Sequence, residues 1–534
     1  MYRDSFSSTE DPENMPSKLR NLVGSHKLDI KIHLNSKKQT YTTLDKIDGH
    51  VTLTPAVDTS YDSVDIEFVG TSRTFVERLT TAAAVSGRAE AFHQFLKLTQ
   101  PNLHRYGPED GILKAGQNYQ FPFVFVVPQQ LLLRICQHRV HSPLIRDAHL
   151  QLPPSFGDRD NSGRPEGLDD ISPEMTSIRY GVFAKVSKVK MSSSDEPSIV
   201  SLGSKARKVR IIPATEELPP LDVKEEDGEY LLRKEKAVRK GMLKGKLGTL
   251  VMEAAQPSSI RLKHHNNPDF RASTMATIML RFDPNDETCA PPKLGSLANK
   301  IRVHTFFGSS ARQNFPSKNG ALLDLSQGMH CETIALSSRC MANVEWQKCD
   351  PSKPETLQRR DSACSLTPAT IPAPTATYKD GIYYTARLLV PINLPENKAF
   401  VPTFHSCLIS RIYTLKLDLS LPAGMGGNMD LKVPVQVSSQ GNDGDASPGR
   451  RESISSDLEQ DIGSGDSHDS SQFFEPRMLR VPSATFIGRS NIGSSLPSTP
   501  LDSPPIGDDL PPGYTPYAAP GPDNRGRRTS YGFY

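Results

Sequence analysis

The chain has 534 residues, of which 36% are hydrophobic and 44 are proline. That length suits two to four domains, and the low apolar share points to a folded body carrying long unstructured segments. The net charge of +3 is too mild for nucleic acid to be the main partner.

Residues 1–25 are polar, with acidic residues and no hydrophobic period. They read as a disordered arm rather than a secretory signal. From Leu28 the pattern changes to alternation: Leu28, Ile30, Ile32 and Leu34 share one face, with Asp29, Lys31 and His33 on the other. The same period of two recurs in Val51/Leu53, Val64/Ile66/Phe68, Phe121/Phe123/Phe125/Val127 and Tyr180/Val182/Ala184/Val186. Alternation of this kind buries one face of a strand and wets the other, as in packed antiparallel sheets. The expected first domain covers residues 26–212, with a long Pro/Gly/Asp/Ser-rich loop over 153–173. A Pro- and acid-rich connector, 213–229, leads to a second β-rich region over 230–437. Strands are predicted there at 248–252, 275–282, 301–307, 383–390, 412–419 and 431–437. Residues 350–377 are too proline-rich and polar for sheet and read as a disordered insertion, and 438–534 as a disordered tail. Each β region is long enough to bury its own core as a sandwich.

No apolar run is long enough for a membrane helix. Seven scattered cysteines form no disulfide framework and suit a reducing cytosol. Cys331, Cys340 and Cys349 recur at equal intervals but lack the paired spacing of zinc sites, so they read as buried or loop thiols. No metal site and no cofactor is expected. Phosphate loops, nucleophile elbows and H-E-x-x-H are missing from the sequence, which argues against an enzyme.

Several segments resemble the arrestin fold, specifically fungal α-arrestin-like proteins. In the first region they are Gly49–Leu53, Tyr61–Gly70, His93–Leu98, Leu113–Gly116 and Phe121–Phe123; in the second, Val401–Cys407, Ile412–Leu419 and Val433–Val437. The resemblance covers about 400 residues, and the order and spacing of the segments carry it. It implies an all-β chain of two arrestin-like, immunoglobulin-like β-sandwich domains in tandem, packed side by side and joined by a short hinge. The sequence shows no recognisable phosphate-sensing polar core, so activation by receptor phosphates is not carried over.

The tail contains Pro511-Pro512-Gly513-Tyr514. WW domains accept polyproline-II segments in an aromatic groove. The two prolines hold that conformation before docking, and the tyrosine enters a second pocket. The bland alternative is an idle linker. The resemblance implies an adaptor that links membrane transporters or receptors to a WW-domain HECT-type ubiquitin ligase and promotes cargo ubiquitination and endocytosis. Such an adaptor is cytoplasmic and recruited to the plasma membrane or endosomes. The alternatives are an arrestin-fold scaffold for WW proteins outside the ubiquitin pathway, or a sorting subunit.

Three Arg-Arg-x-Ser motifs end at Ser362, Ser453 and Ser530. All lie in polar segments that basophilic kinases can reach, and a 14-3-3-type phosphoserine binder is the implied partner. The bland alternative is that arginine keeps the tail soluble. The densest basic run, with Lys234, Lys236 and Lys240, reads first as a solvated face. Peripheral contact with anionic lipid, or ubiquitin acceptance, is the functional alternative.

Overall fold

The computed structural model describes residues 28–36, 38–78, 87–157, 168–191, 197–223, 228–240, 245–262, 272–351, 371–422 and 427–441. The first region holds β1 (Leu28–Leu34), β2 (Lys46–Pro55), β3 (Thr59–Ser60), β4 (Ser63–Arg78), β5 (Gly87–Thr99), β6 (Ile112–Leu113), β7 (Tyr119–Val126), β8 (Thr176–Met191) and β9 (Pro197–Val209). A short helix, α1 (Pro143–Leu150), lies between β7 and β8. Strands β1, β2 and β7 form one antiparallel sheet, and β5-β4-β8-β9 the other.

The alternation read in the sequence is what the two sheets bury. Ile32 lies opposite Val51, and Val51 opposite Phe121, so the inward residues stack across three strands. From the facing sheet, Phe68 meets Phe125 at 5.9 Å and Tyr180 at 6.0 Å between ring centroids. Aromatic rings of this size dominate the burial that holds two sheets together. Strand β9 is absent from the predicted strands because few of its residues are buried. Its place is set by pairing with β8.

The second region holds β10 (Arg233–Arg239), β11 (Lys246–Ala254), β12 (Ile260–Leu262), β13 (Ser273–Pro284), β14 (Ser296–Gly308), α2 (Lys318–Leu323), β15 (Gln327–Cys340) and β16 (Gln347–Cys349). It continues with β17 (Tyr383–Asn393), β18 (Phe404–His405), β19 (Ile409–Leu419), β20 (Met429–Val435) and β21 (Val437–Ser439). One sheet runs β10-β11-β13-β17-β16; the other runs β15-β14-β19-β18, with β20 also on β19. Leu250, Ile278, Phe282 and Val390 from the first sheet share a core with Ile301, Val303, Leu415 and Leu417 from the second. The chain therefore has an all-β fold built on two sandwiches.

Three local expectations are corrected. Residues 371–377, within the stretch read as insertion, pack against the second sandwich: Asp283 accepts the Thr375 N–H at 3.0 Å, and Arg281 donates to the Pro372 carbonyl at 3.2 Å. Arg281 also pairs with Asp283 at 2.8 Å and lies over the rings of Tyr378 and Tyr383. A proline-rich segment clamped by one buried ion pair has no periodicity to read. At the other boundary, β21 carries order to Ser439, with Ser438 and Ser439 buried. Finally, Cys331 and Cys340 are neither buried nor in loops; they sit on β15, half-buried and exposed, while Cys349 is buried on β16.

The joint between the sandwiches is more than a hinge. Val401, Phe404, Cys407, Leu408 and Ile409, from the second region of sequence, complete the core of the first sandwich. Ile171, from the first region, is buried in the core of the second. Each sandwich thus inserts a segment into the other.

Candidate functional site at the seam between the sandwiches

The seam gathers buried polar side chains. Arg411, near the start of β19, is 0% exposed. Its Nη2 donates to the carbonyls of Asp170 (3.2 Å) and Ile171 (3.0 Å). The guanidinium lies over Phe156 at 4.6 Å and faces Tyr413 at 6.0 Å. Nε and Nη1 have no partner among the described residues. Burial lowers its pKa, against the opposing pull of Tyr413, Asp170, Glu332 and Asp169. The carbonyls it meets are aimed by a left-handed residue, Ile171, at φ 61°. A β-branched residue there costs about 1–2 kcal/mol. Asp169 and Asp170 hold the turn by accepting the N–H groups of Ile171, Ser172 and Gly157.

Arg312 lies nearby, 6% exposed, with its pKa lowered by burial to about 9. Its N–H donates to the Cys407 carbonyl at 2.9 Å. His304 on β14 is 1% exposed, and neither ring nitrogen has a partner among the described residues. Burial, then Lys318, Arg302 and Arg411, push its pKa down to about 4. An unfolded histidine takes up its proton near pH 6.5. The stability that neutral His304 contributes is therefore whole above that value and falls away as the pH drops from 6.5 to about 4. His304 alone should cost about 3 kcal/mol across that window. Urea unfolding at both ends checks this: His304→Leu should flatten the acid slope, and an unchanged slope would refute the assignment.

A second group lies at the same seam. Cys136 follows a single 3-10 turn (Leu133–Ile135), His138 lies two residues on, and His149 is on the buried face of α1. Cys407 comes from the turn between β18 and β19 of the other sandwich. Their donor atoms all lie within 4.8 Å of one another. Cys136 Sγ is 3.3 Å from His138 Nε2 and 3.6 Å from His149 Nδ1. Sequence reading missed this set because its fourth member lies far along the chain. The only local signal was C-x-H followed by a histidine among apolar residues.

Of the site residues named from sequence, Pro511, Pro512, Tyr514, Ser362, Ser453 and Ser530 lie outside the described residues. The three lysines are on or beside β10. Lys234 pairs with Asp430, which holds that carboxyl below its usual range. Lys236 donates to the Asn428 carbonyl at 2.8 Å, and Lys240 is exposed just past the strand. Neighbouring Arg233 is paired with Glu235 and Glu253. The run is therefore partly neutralised, with Lys240 its open end.

Residues 30–134 match the arrestin (or S-antigen) N-terminal domain, and residues 375–440 match the Bul1 C terminus. The first match spans β1 to β7, and the second spans β17 to β21 and includes Cys407 and Arg411. Both support an arrestin-like protein. Comparison with curated proteins finds no match to the chain. Among the described residues, no helix is long and apolar enough to cross a membrane.

Proposed function

We propose that the chain is a non-catalytic adaptor that brings a WW-domain HECT-type ubiquitin ligase to the cytosolic segments of membrane transporters or receptors. The observation that carries this reading is the conjunction of arrestin-type and Bul1-type sequence in one all-β body with a Pro-Pro-x-Tyr motif C-terminal to β21. The match to the Bul1 C terminus suggests an association with ubiquitin-ligase machinery, which favours this reading over a scaffold outside the ubiquitin pathway. The sandwiches engage cargo, and Pro511, Pro512 and Tyr514 engage the ligase. The intervening polar, Ser/Gly-rich sequence has the composition of a long tether, which gives broad reach at modest local ligase concentration. Working at a membrane, the protein is cytoplasmic and recruited to the plasma membrane or endosomes, with Lys240 available for contact with anionic headgroups or for ubiquitin transfer.

Phosphorylation at Ser362, Ser453 and Ser530 regulates this handle, with a 14-3-3-type protein masking the tail from Ser530. The adaptor reading is tested with Tyr514→Ala, which is expected to weaken binding to isolated ligase WW domains by about tenfold or more. It should also reduce cargo ubiquitination. Unchanged ligase binding and unchanged internalisation of a fluorescent transporter would refute it, and binding confined to WW domains of non-ligase proteins would favour the scaffold reading.

A further inference from the structure

We propose that Cys136, His138, His149 and Cys407 form a structural zinc site that fastens the first sandwich to the second. A tetrahedral zinc ion with Zn–S near 2.3 Å and Zn–N near 2.0–2.1 Å needs its donor atoms about 3.3–3.8 Å apart. The two separations from Cys136 Sγ, 3.3 Å to His138 Nε2 and 3.6 Å to His149 Nδ1, fall in that range. All four donors lie within 4.8 Å of one another, so one small ion can reach each of them after minor adjustment.

Chemistry points the same way. Two thiolates and two neutral imidazoles balance the charge of a divalent ion, which suits a site where Cys136, His149 and Cys407 are buried. Binding converts two thiols to thiolates and releases two protons as two Zn–S bonds form. A sulfur-nitrogen set of tetrahedral size selects zinc over the harder magnesium or calcium, and four protein ligands leave no open position for catalysis.

The surroundings orient the ligands. His138 Nδ1 lies 3.1 Å from the Arg139 carbonyl. An N–H donated there leaves the lone pair on Nε2, facing the cluster. Cys407 is held in a tight turn, where the Ser406 N–H donates to the Ile409 carbonyl at 2.8 Å and the Ile409 N–H to Ser406 Oγ at 3.1 Å. From the neighbouring loop, the Arg312 N–H binds the Cys407 carbonyl. His138 is the half-buried member, so the ion enters from its side.

The test uses the full chain, without a histidine tag, purified with reductant and no chelator. Mass-spectrometric metal analysis is expected to find about one zinc per chain, the stoichiometry of a closed four-ligand site. Cys407→Ser and His149→Gln should each lower zinc content by about tenfold or more, whereas Cys331→Ser should leave it unchanged. Because a variant that loses the site can also fail to fold, the wild-type protein provides an independent readout. Stripped and reloaded with cobalt, it should show the visible bands of tetrahedral cobalt with thiolate charge transfer. Chelation should lower the melting temperature, and added zinc should restore it. A reduced chain with negligible zinc and no tetrahedral cobalt spectrum would overturn the proposal. So would a Cys136–Cys407 disulfide recovered from the native protein.

Discussion

Gly49→Ala is expected to destabilise the protein by about 3 kcal/mol or more, although it adds a single methyl group. Gly49 lies in the middle of β2, opposite Leu34 on one side and Phe123 on the other. A Cβ there would fall 1.9 Å from the His33 carbonyl oxygen and 2.9 Å from the Phe123 ring. The obstacle is backbone in a central ladder, so it cannot swing aside as a side-chain tip would. Relief requires separating β1 from β2, which exposes Ile30 and Ile32. Thermal or urea unfolding checks the effect, and a loss under about 0.5 kcal/mol, the usual surface range, would show that the sheet yields more easily than its geometry implies.

Arg411 should separate packing from charge. Arg411→Ala removes two hydrogen bonds to the Asp170 and Ile171 carbonyls and empties the space between Phe156 and Tyr413. A loss of about 3–5 kcal/mol is expected. Arg411→Met keeps most of the volume and removes a buried cation whose Nε and Nη1 lack partners among the described residues. Its cost should be about 1 kcal/mol or less, since replacing a poorly compensated buried ion by an apolar chain is often neutral. Equal damage from both variants would mean that the two carbonyl contacts, rather than space-filling, hold the seam. Both are read by denaturant titration of the intact chain.

The strands with one wet and one dry face were legible in the sequence because alternation survives as pattern: Leu28–Leu34 and Phe121–Val127 needed no tertiary information. Strands β9 and β15 were not, since edge strands with few buried residues leave little apolar periodicity. The candidate site was harder. Arg411 lies just before the segment read from resemblance, and nothing local marks a charged residue for full burial. Cys407 stands inside such a segment, yet its neighbours in space come from α1 and the turn before it. The Pro-Pro-x-Tyr and Arg-Arg-x-Ser motifs show the opposite case. They are linear signals, readable without a fold, and they fall outside the described residues.

The exchange of segments at the seam bears on how such a protein can diversify. Val401–Ile409 fills the first sandwich and Ile171 fills the second. Neither half is a transferable module: a recombination event that swapped one sandwich for a relative's would have to bring a matching plug and socket with it. Surface loops are free of that constraint, so new cargo preferences are more readily acquired there than by shuffling whole halves.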